Sequence, residues 1–274
     1  ERCAATMTLT EYRVTARNTS AASENRIHDD AVARQYGFPG GLVPGCTVYA
    51  YMTHPLVAAL GAAWLEQGSA SVRFVKPVLH GETIAIGPTA GGESAELALV
   101  VRNAAGEECA LLGAALPGAA EAPPALAGYP RAPAPAERPA ASRAELAGGR
   151  VMSTAELMCD AAQAAAYADK VGEDLAIFRG EGGLVHPGVY LEQANRSLSG
   201  TVRVGPWIHV ASAVRHFSAA RVGERLETRG RVSAQWERKG REMVELDVLL
   251  VAVPTERVIA LIRHTAIWQL PPRG

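Results

Sequence analysis

The sequence predicts an α+β chain built twice over: two tandem units, each with an antiparallel sheet wrapped around one long helix. Three observations carry this. A Gly/Pro loop leading into an apolar helix occurs in each half, Gly41-Leu42-Val43-Pro44-Gly45 being mirrored by Gly183-Leu184-Val185-His186-Pro187-Gly188. A strand-and-turn pattern, Ser71-Val72-Arg73 to Gly81-Glu82, is mirrored by Ala213-Val214-Arg215 to Gly223-Glu224 at a constant offset of 142 residues. Between the halves, Pro123-Pro124, Pro130, Pro133, Pro135 and Pro139 are spaced largely by alanines. An offset shared by loop and hairpin is the mark of a duplicated architecture. The proline-rich run has too few large apolar residues to offset its ordering entropy by burial, so it reads as an extended linker. The chain thus divides into a first unit over 1–116, a linker over 117–149 and a second unit over 150–274.

Taken in order, residues 5–9 read as a short strand, and Thr10 as the N-cap of a helix over 11–19, because its hydroxyl suits the free amides of a first turn. Residues 20–29 are polar and irregular. Asp30 is placed to cap a short helix over 31–36, which Gly37 ends in a left-handed turn. Pro44-Gly45 opens the long helix, which runs to about Gln67 and buries Val48, Tyr51, Met52 and Leu56; Pro55 removes one of its hydrogen bonds and predicts a kink near Tyr51. Four strands follow, over 70–78, 82–88, 95–103 and 107–116. In the second half, Ser153-Thr154-Ala155-Glu156 has the form of a capping box for a helix to about Asp169. A central helix begins over 189–198, and strands cover 208–219, 225–236, 241–253 and 258–268. A long unpaired sheet edge is a liability, so the two sheets are expected to join edge to edge.

Composition excludes several partners. With 27 Lys+Arg against 28 Asp+Glu the net charge is -1, which supplies no basic footprint for nucleic acid and no charged amphipathic segment for a membrane surface. The 48% of hydrophobic residues suffices for a buried core. Cys3, Cys46, Cys109 and Cys159 are scattered without C-x-x-C spacing and read as reduced thiols; no residue set has metal-site spacing, so no metal is expected. Without a signal-like N-terminal segment or an apolar run of about 18 residues, a cytoplasmic location is expected.

The chemistry-bearing stretch is Ser23-Glu24-Asn25-Arg26-Ile27-His28-Asp29-Asp30, followed by Gly37-Phe38 and Gly45. A general acid/base needs a pKa near neutrality, which His28 offers, and a developing oxyanion needs amides without helical partners, which a first turn at Gly45 offers. Asn25 suits either orientation of substrate or water, or an Asx-turn. The other histidines form no recognised set: His54 and His80 lie near a helical proline and a turn, and His209, His216 and His264 fall in strands.

Asn25, Ile27, His28 and Asp30, then Gly37-Phe38 and Gly45, resemble the N-x-[IL]-H-x-D... G-[FY]... G motif of MaoC-like (R)-specific enoyl-CoA hydratases of the hotdog fold. The resemblance implies a double hotdog, a monomer that mimics the usual homodimer or itself dimerises. It implies hydration or dehydration of an acyl thioester, with coenzyme A or phosphopantetheine as part of the substrate and no separate cofactor. His28, Asn25 and Gly45 would carry the reaction; outside the motif, Pro44, Tyr49, Arg73 and His186 are candidates for substrate contacts, His186 because it is inserted in the second Gly/Pro loop. The motif departs from the family at Ser23, which stands where the family has its catalytic aspartate; Glu24, Asp29 and Glu181 are the carboxylates proposed to substitute. Arg26, Arg34, Arg73, Lys76 and Arg215 are candidates for phosphate contacts, although exposed cations are as readily solvated. The positions offset from His28 fall at Lys170 and Val171, so the first half alone keeps the motif. Two alternatives stay open: another hotdog thioester enzyme (a thioesterase or a decarboxylase/acyltransferase), in which Ser23, His28, Glu24 or Tyr49 takes a different role, and an acyl-thioester-binding protein without catalysis.

Overall fold

A computed structural model of the protein describes residues 9–89, 97–119 and 121–271. The first half runs through strand β1 (Tyr12–Thr15), a 3-10 turn (Arg26–His28), helices α1 (Asp30–Gln35), α2 (Gly45–Leu60) and α3 (Ala62–Gln67), then strands β2 (Ser69–Phe74), β3 (Thr83–Pro88), β4 (Leu97–Arg102) and β5 (Glu108–Ala115). The second half holds β6 (Val151–Met152), β7 (Glu156–Met158), α4 (Ala161–Val171), a 3-10 turn (Ala176–Phe178) and α5 (Pro187–Thr201). It ends on β8 (Ile208–His216), β9 (Arg225–Arg238), β10 (Arg241–Val253) and β11 (Arg257–Gln269).

Among the described residues the strands share one 11-stranded sheet, ordered β1-β3-β4-β5-β2-β8-β11-β10-β9-β6, with β7 also pairing β9. The halves meet where β2 pairs antiparallel with β8, and the register there is that of a two-fold axis. Ser71 lies opposite Ala213, its own counterpart 142 residues on, while Ser69 pairs Arg215 and Arg73 pairs Ala211. In an isologous dimer each residue i meets j while j meets i, and here one chain reproduces that relation covalently. The offset recurs in the loops: Leu42 bridges Leu79 as Leu184 bridges Arg221, and the Val43 amide donates to the Val78 carbonyl as Val185 donates to Ala220. The long helices α2 and α5 pack together inside the sheet, burying Tyr49, Met52, Leu56, Tyr190, Leu191 and Leu198 at most 0% exposed each.

Several elements differ from their sequence readings. Residues 5–8 lie outside the described residues. The helix expected over 11–19 is instead strand β1, since Tyr12 to Thr15 alternate in burial and pair with Ile86 to Thr83, a tertiary partner that outweighs local propensity. Asp29 rather than Asp30 caps α1, its Oδ1 accepting from the Val32 amide at 3.0 Å; Asp30 reaches the Gly41 amide at 2.7 Å. The long helix passes through Pro55 and breaks at Gly61, giving α2 and α3. Ser153-Thr154-Ala155-Glu156 starts no helix: Glu156 to Met158 pair with β9, and the capping box is Asp160 with Gln163 at the head of α4. The proline-rich segment lies along the second half, Tyr129 packing with Leu249, Val251 and Val258 and Leu146 wholly buried. Among the described residues no helix is long and apolar enough to cross a membrane.

Candidate active site

Each residue of the motif is placed by a specific contact. The Ile27 side chain packs with Leu42 and Phe38, and its carbonyl accepts from the Leu42 amide at 3.3 Å, which lays the 3-10 turn on the Gly/Pro loop. Gly41 has to be glycine here, because a Cβ at that position would stand 2.2 Å from the His28 carbonyl oxygen, which Asn18 Nδ2 also holds at 2.7 Å. His28 Nδ1 lies 2.7 Å from the Leu42 carbonyl. A carbonyl only accepts, so Nδ1 carries the hydrogen and Nε2 keeps its lone pair. Burial lowers the His28 pKa, and the bond to Leu42 opposes that shift only in part; the ring is therefore neutral at pH 7.

Asn25 ties this loop to the other half. Its Oδ1 accepts from the Trp207 amide at 3.1 Å, its Nδ2 donates to the Trp207 carbonyl at 3.0 Å, and Nδ2 also lies 3.4 Å from His28 Nε2. With Oδ1 accepting from Ile27 at 3.4 Å as well, Asn25 is both the N-cap of the turn and the link across the halves.

Two cavities adjoin at His28. The first, about 310 Å³, is walled by apolar side chains such as Phe38, Val48, Phe74 and Ile208, and by Gly45, His28 and His209. The second, about 300 Å³, is polar and carries Ser23, Glu24, Cys46, Arg138, Lys170 and Glu192. Asn25, His28, Pro44, Asn195 and Trp207 line both. Gly45 is the first residue of α2, and Pro44 ahead of it accepts from Thr47 and Val48, so the first-turn amide at Gly45 faces the cavity end of the helix without an intrahelical acceptor. An oxygen carrying partial negative charge is favoured at that point.

Not every predicted residue joins this site. Tyr49 is fully buried in the core one residue past the cavity-lining Val48, its hydroxyl without a partner and its pKa raised by burial. Arg73 is exposed on β2 and lines neither cavity. His186 also lines neither: it caps α5, Nδ1 accepting from the Gly188 amide at 3.0 Å, and Nε2 lies 3.4 Å from buried Glu173. Glu173 in turn lies 2.8 Å from His54; burial raises its pKa, but the bonds from His186 and His54 outweigh this and hold it at about 2. Of the proposed carboxylates, Asp29 caps α1 and pairs Arg26 at 2.9 Å, and Glu181 is exposed and lines neither cavity. Glu24 does border the second cavity, bound through both oxygens by Arg138, which lowers its pKa. Ser23 donates to the Asn25 carbonyl at 3.2 Å. The phosphate candidates Arg26, Arg34, Lys76 and Arg215 pair with Asp29, Asp30, Glu107 and Glu121.

Sequence spacing also misplaced the counterpart of His28. The Leu42 amide donates to Ile27 as Leu184 donates to Ile177, so the residue matching His28 is Phe178, not Lys170 or Val171. Sequence reasoning misses Asn195 and Trp207 altogether and takes His209 only as a strand histidine outside any set; all three come from the second half. Trp207 lies just ahead of β8 and His209 is the second residue of it.

A chain of two covalently joined α+β units, with paired central helices inside one antiparallel sheet, has the double hotdog fold. No family model matches the sequence, and none of the curated proteins matches it. Among solved structures, Rv0216 of Mycobacterium tuberculosis, described as a double hotdog, superposes with a TM-score of 0.64 at 17% identity over 95% of this chain and 96% of that one. A putative MaoC domain dehydratase from Chloroflexus aurantiacus gives 0.61 at 11% identity, covering 97% and 96%. A putative oleoyl thioesterase from Lactobacillus plantarum gives 0.53 at 11% identity, covering 97% and 98%. These likenesses concern the fold.

Proposed function

We propose that the protein is a hotdog thioester enzyme, and specifically a hydratase or dehydratase of α,β-unsaturated or 3-hydroxyacyl thioesters. The observation that carries this reading is the joint placement of the His28 imidazole and the α2 N-terminus in the wall of one apolar cavity. A thioester carbonyl set at the Gly45 amide gains a donor as it becomes enolate-like, and the acyl chain then occupies the apolar cavity. His28 Nε2, at the boundary with the polar cavity, is positioned for the water or the 3-hydroxyl. The second cavity suits the pantetheine arm of coenzyme A or of a carrier protein, with Arg138, Lys170 and Arg196 outnumbering Glu24 and Glu192 on its wall. At about 310 Å³ the acyl cavity is at the small end of the roughly 300–1,000 Å³ usual for ligand sites, which favours short and medium chains.

Crotonyl-CoA in one assay that follows both hydration and thiol release tests this reading. Hydration without thiol release is the expected result; thiol release without hydration assigns the site to a thioesterase, the activity named for one of the similar structures. Glu24→Gln separates the two possible supports for His28. Because Arg138 already occupies both Glu24 oxygens, the carboxylate is a poor base, and the substitution is expected to cost less than about tenfold in turnover, against about 10²-fold or more for a positioned acid/base. A loss as large as that of a His28 variant would restore Glu24 as the missing carboxylate.

A further inference from the structure

His209 stands out among the buried groups that the motif leaves unexplained. It is 7% exposed, it lines the apolar cavity, and its Nδ1 has no hydrogen-bond partner among the described residues. A Cβ on Gly45 would lie 2.7 Å from that nitrogen and 2.9 Å from the Phe74 ring, so the glycine lets the His209 ring pack directly against the α2 N-terminus. The other ring nitrogen is held: Nε2 lies 2.8 Å from Ser212 Oγ and 3.2 Å from the Ala211 carbonyl, and Ser212 Oγ lies 3.0 Å from His264 Nδ1. The Ala211 carbonyl only accepts, so Nε2 carries the hydrogen and Nδ1 keeps an unpartnered lone pair, buried in the cavity wall against the head of α2.

This arrangement is built into the strand. Thr265 pairs Ala211 and Ala266 pairs His209, leaving Val210 as an extra residue in β8. Residues three apart on a regular strand point to opposite faces; the bulge brings His209 and Ser212 to the same one. Re-aiming a side chain is what such irregularities do beside active sites.

We propose that His209, from the second half of the chain, is the second proton-transfer residue of the site, exchanging the C2 proton of the acyl thioester through Nδ1, while His28 serves the oxygen at C3. The proposal rests on the thioester reading above. With the carbonyl oxygen at the Gly45 amide, C2 is the carbon next to the thioester and His209 is the group next to Gly45. In hydration, water gives a proton to His28 Nε2 as its oxygen bonds C3, and the C2=C3 electron pair moves onto the thioester as an enolate. That pair then takes the proton from Nδ1 of the His209 imidazolium to form the C2–H bond, which leaves the ring neutral with its hydrogen on Nε2. Dehydration runs the same transfers backwards: His209 Nδ1 removes the C2 proton, the C3–O bond breaks, and the proton on His28 completes the departing water. The cycle needs one proton on the histidine pair; burial lowers the pKa of both histidines, so that proton is taken up from solvent, and exchange with water resets it. The pair supplies both roles without a carboxylate at Ser23.

The test is solvent deuterium exchange at C2 of butyryl-CoA, a saturated thioester that can ionise at C2 but has no C3 oxygen. Wild type is expected to exchange, and His209→Gln to lose exchange about 10²-fold or more. The loss is expected to be roughly tenfold or more larger than for His28→Gln, while crotonyl-CoA hydration falls in both variants. Exchange at the wild-type rate in a folded His209→Gln protein overturns the proposal. Should that variant not fold, Ser212→Ala keeps the ring and removes one partner of Nε2; reduced exchange supports the assignment and unchanged exchange refutes it. A wild type that neither hydrates crotonyl-CoA nor exchanges butyryl-CoA removes the thioester reading itself, a result distinct from a silent variant beside an active wild type.

Discussion

His28→Ala is expected to lower crotonyl-CoA hydration by about 10²–10⁴-fold with a much smaller change in KM, the loss typical of a positioned acid/base. The ring touches the reacting end of the proposed substrate and contributes little to the apolar wall that binds the chain. A secondary cost accompanies it, because the Leu42 carbonyl loses its partner at 2.7 Å, and a buried unpaired carbonyl costs about 1–3 kcal/mol. Steady-state kinetics together with thermal melting separates the two effects. A variant of unchanged turnover, or one whose loss lies wholly in KM, would mean that His28 is structural.

Mild acid is expected to unfold the protein. His216 and His264 are at most 1% exposed, and burial lowers both to about 3, with the Arg215 charge adding to the effect at His216. In the unfolded chain a histidine titrates near 6.5. Between those values the unfolded state binds protons that the folded state does not, so the folded state is favoured above about pH 6.5 and loses stability as pH falls. Each group costs about 1.4 kcal/mol per pH unit over that window. From pH 7 to about 4.5 the two amount to roughly 5 kcal/mol, comparable with the whole 5–15 kcal/mol of a typical domain. Glu173 adds to the loss below about pH 4.3, as its stabilising ionisation is titrated. His216 packs edge-on between Trp64 and Tyr190, and neither ring nitrogen has a partner among the described residues. His216→Leu is therefore expected to shift the acid midpoint downward while leaving stability at pH 7 unchanged or improved, as circular dichroism against pH will show. An acid midpoint that does not move would mean that His216 is already protonated in the folded protein.

The fold was legible because duplication leaves a record that needs no tertiary knowledge. The offset of 142 that relates Ser71 to Ala213 in the sequence is the same one that places them opposite each other in the sheet. Elements decided by distant partners were not legible: Tyr12 to Thr15 become a strand through β3, and Glu156 to Met158 through β9. The site divides the same way. Asn25, His28 and Gly45 lie within one local motif, whose capping and loop contacts follow from neighbouring residues. Trp207, His209 and Asn195 come from across the two-fold relation, and a bulge at Val210 that no local pattern announces is what turns His209 toward Ser212. Tyr49 failed for a related reason, since one step along a helix turns a side chain by about 100° and carries it from cavity to core.

The central claim is that a thioester carbonyl sits at the α2 N-terminus between His28 and His209, with its chain in the apolar cavity. A crystal structure of the protein with butyryl-CoA tests this most directly. The account predicts the carbonyl oxygen within hydrogen-bond distance of the Gly45 amide, C2 facing His209 Nδ1, and the pantetheine arm leaving past Asn195 and Arg138. An acyl chain lodged elsewhere, or a carbonyl turned away from Gly45 with water against His28 alone, would contradict it.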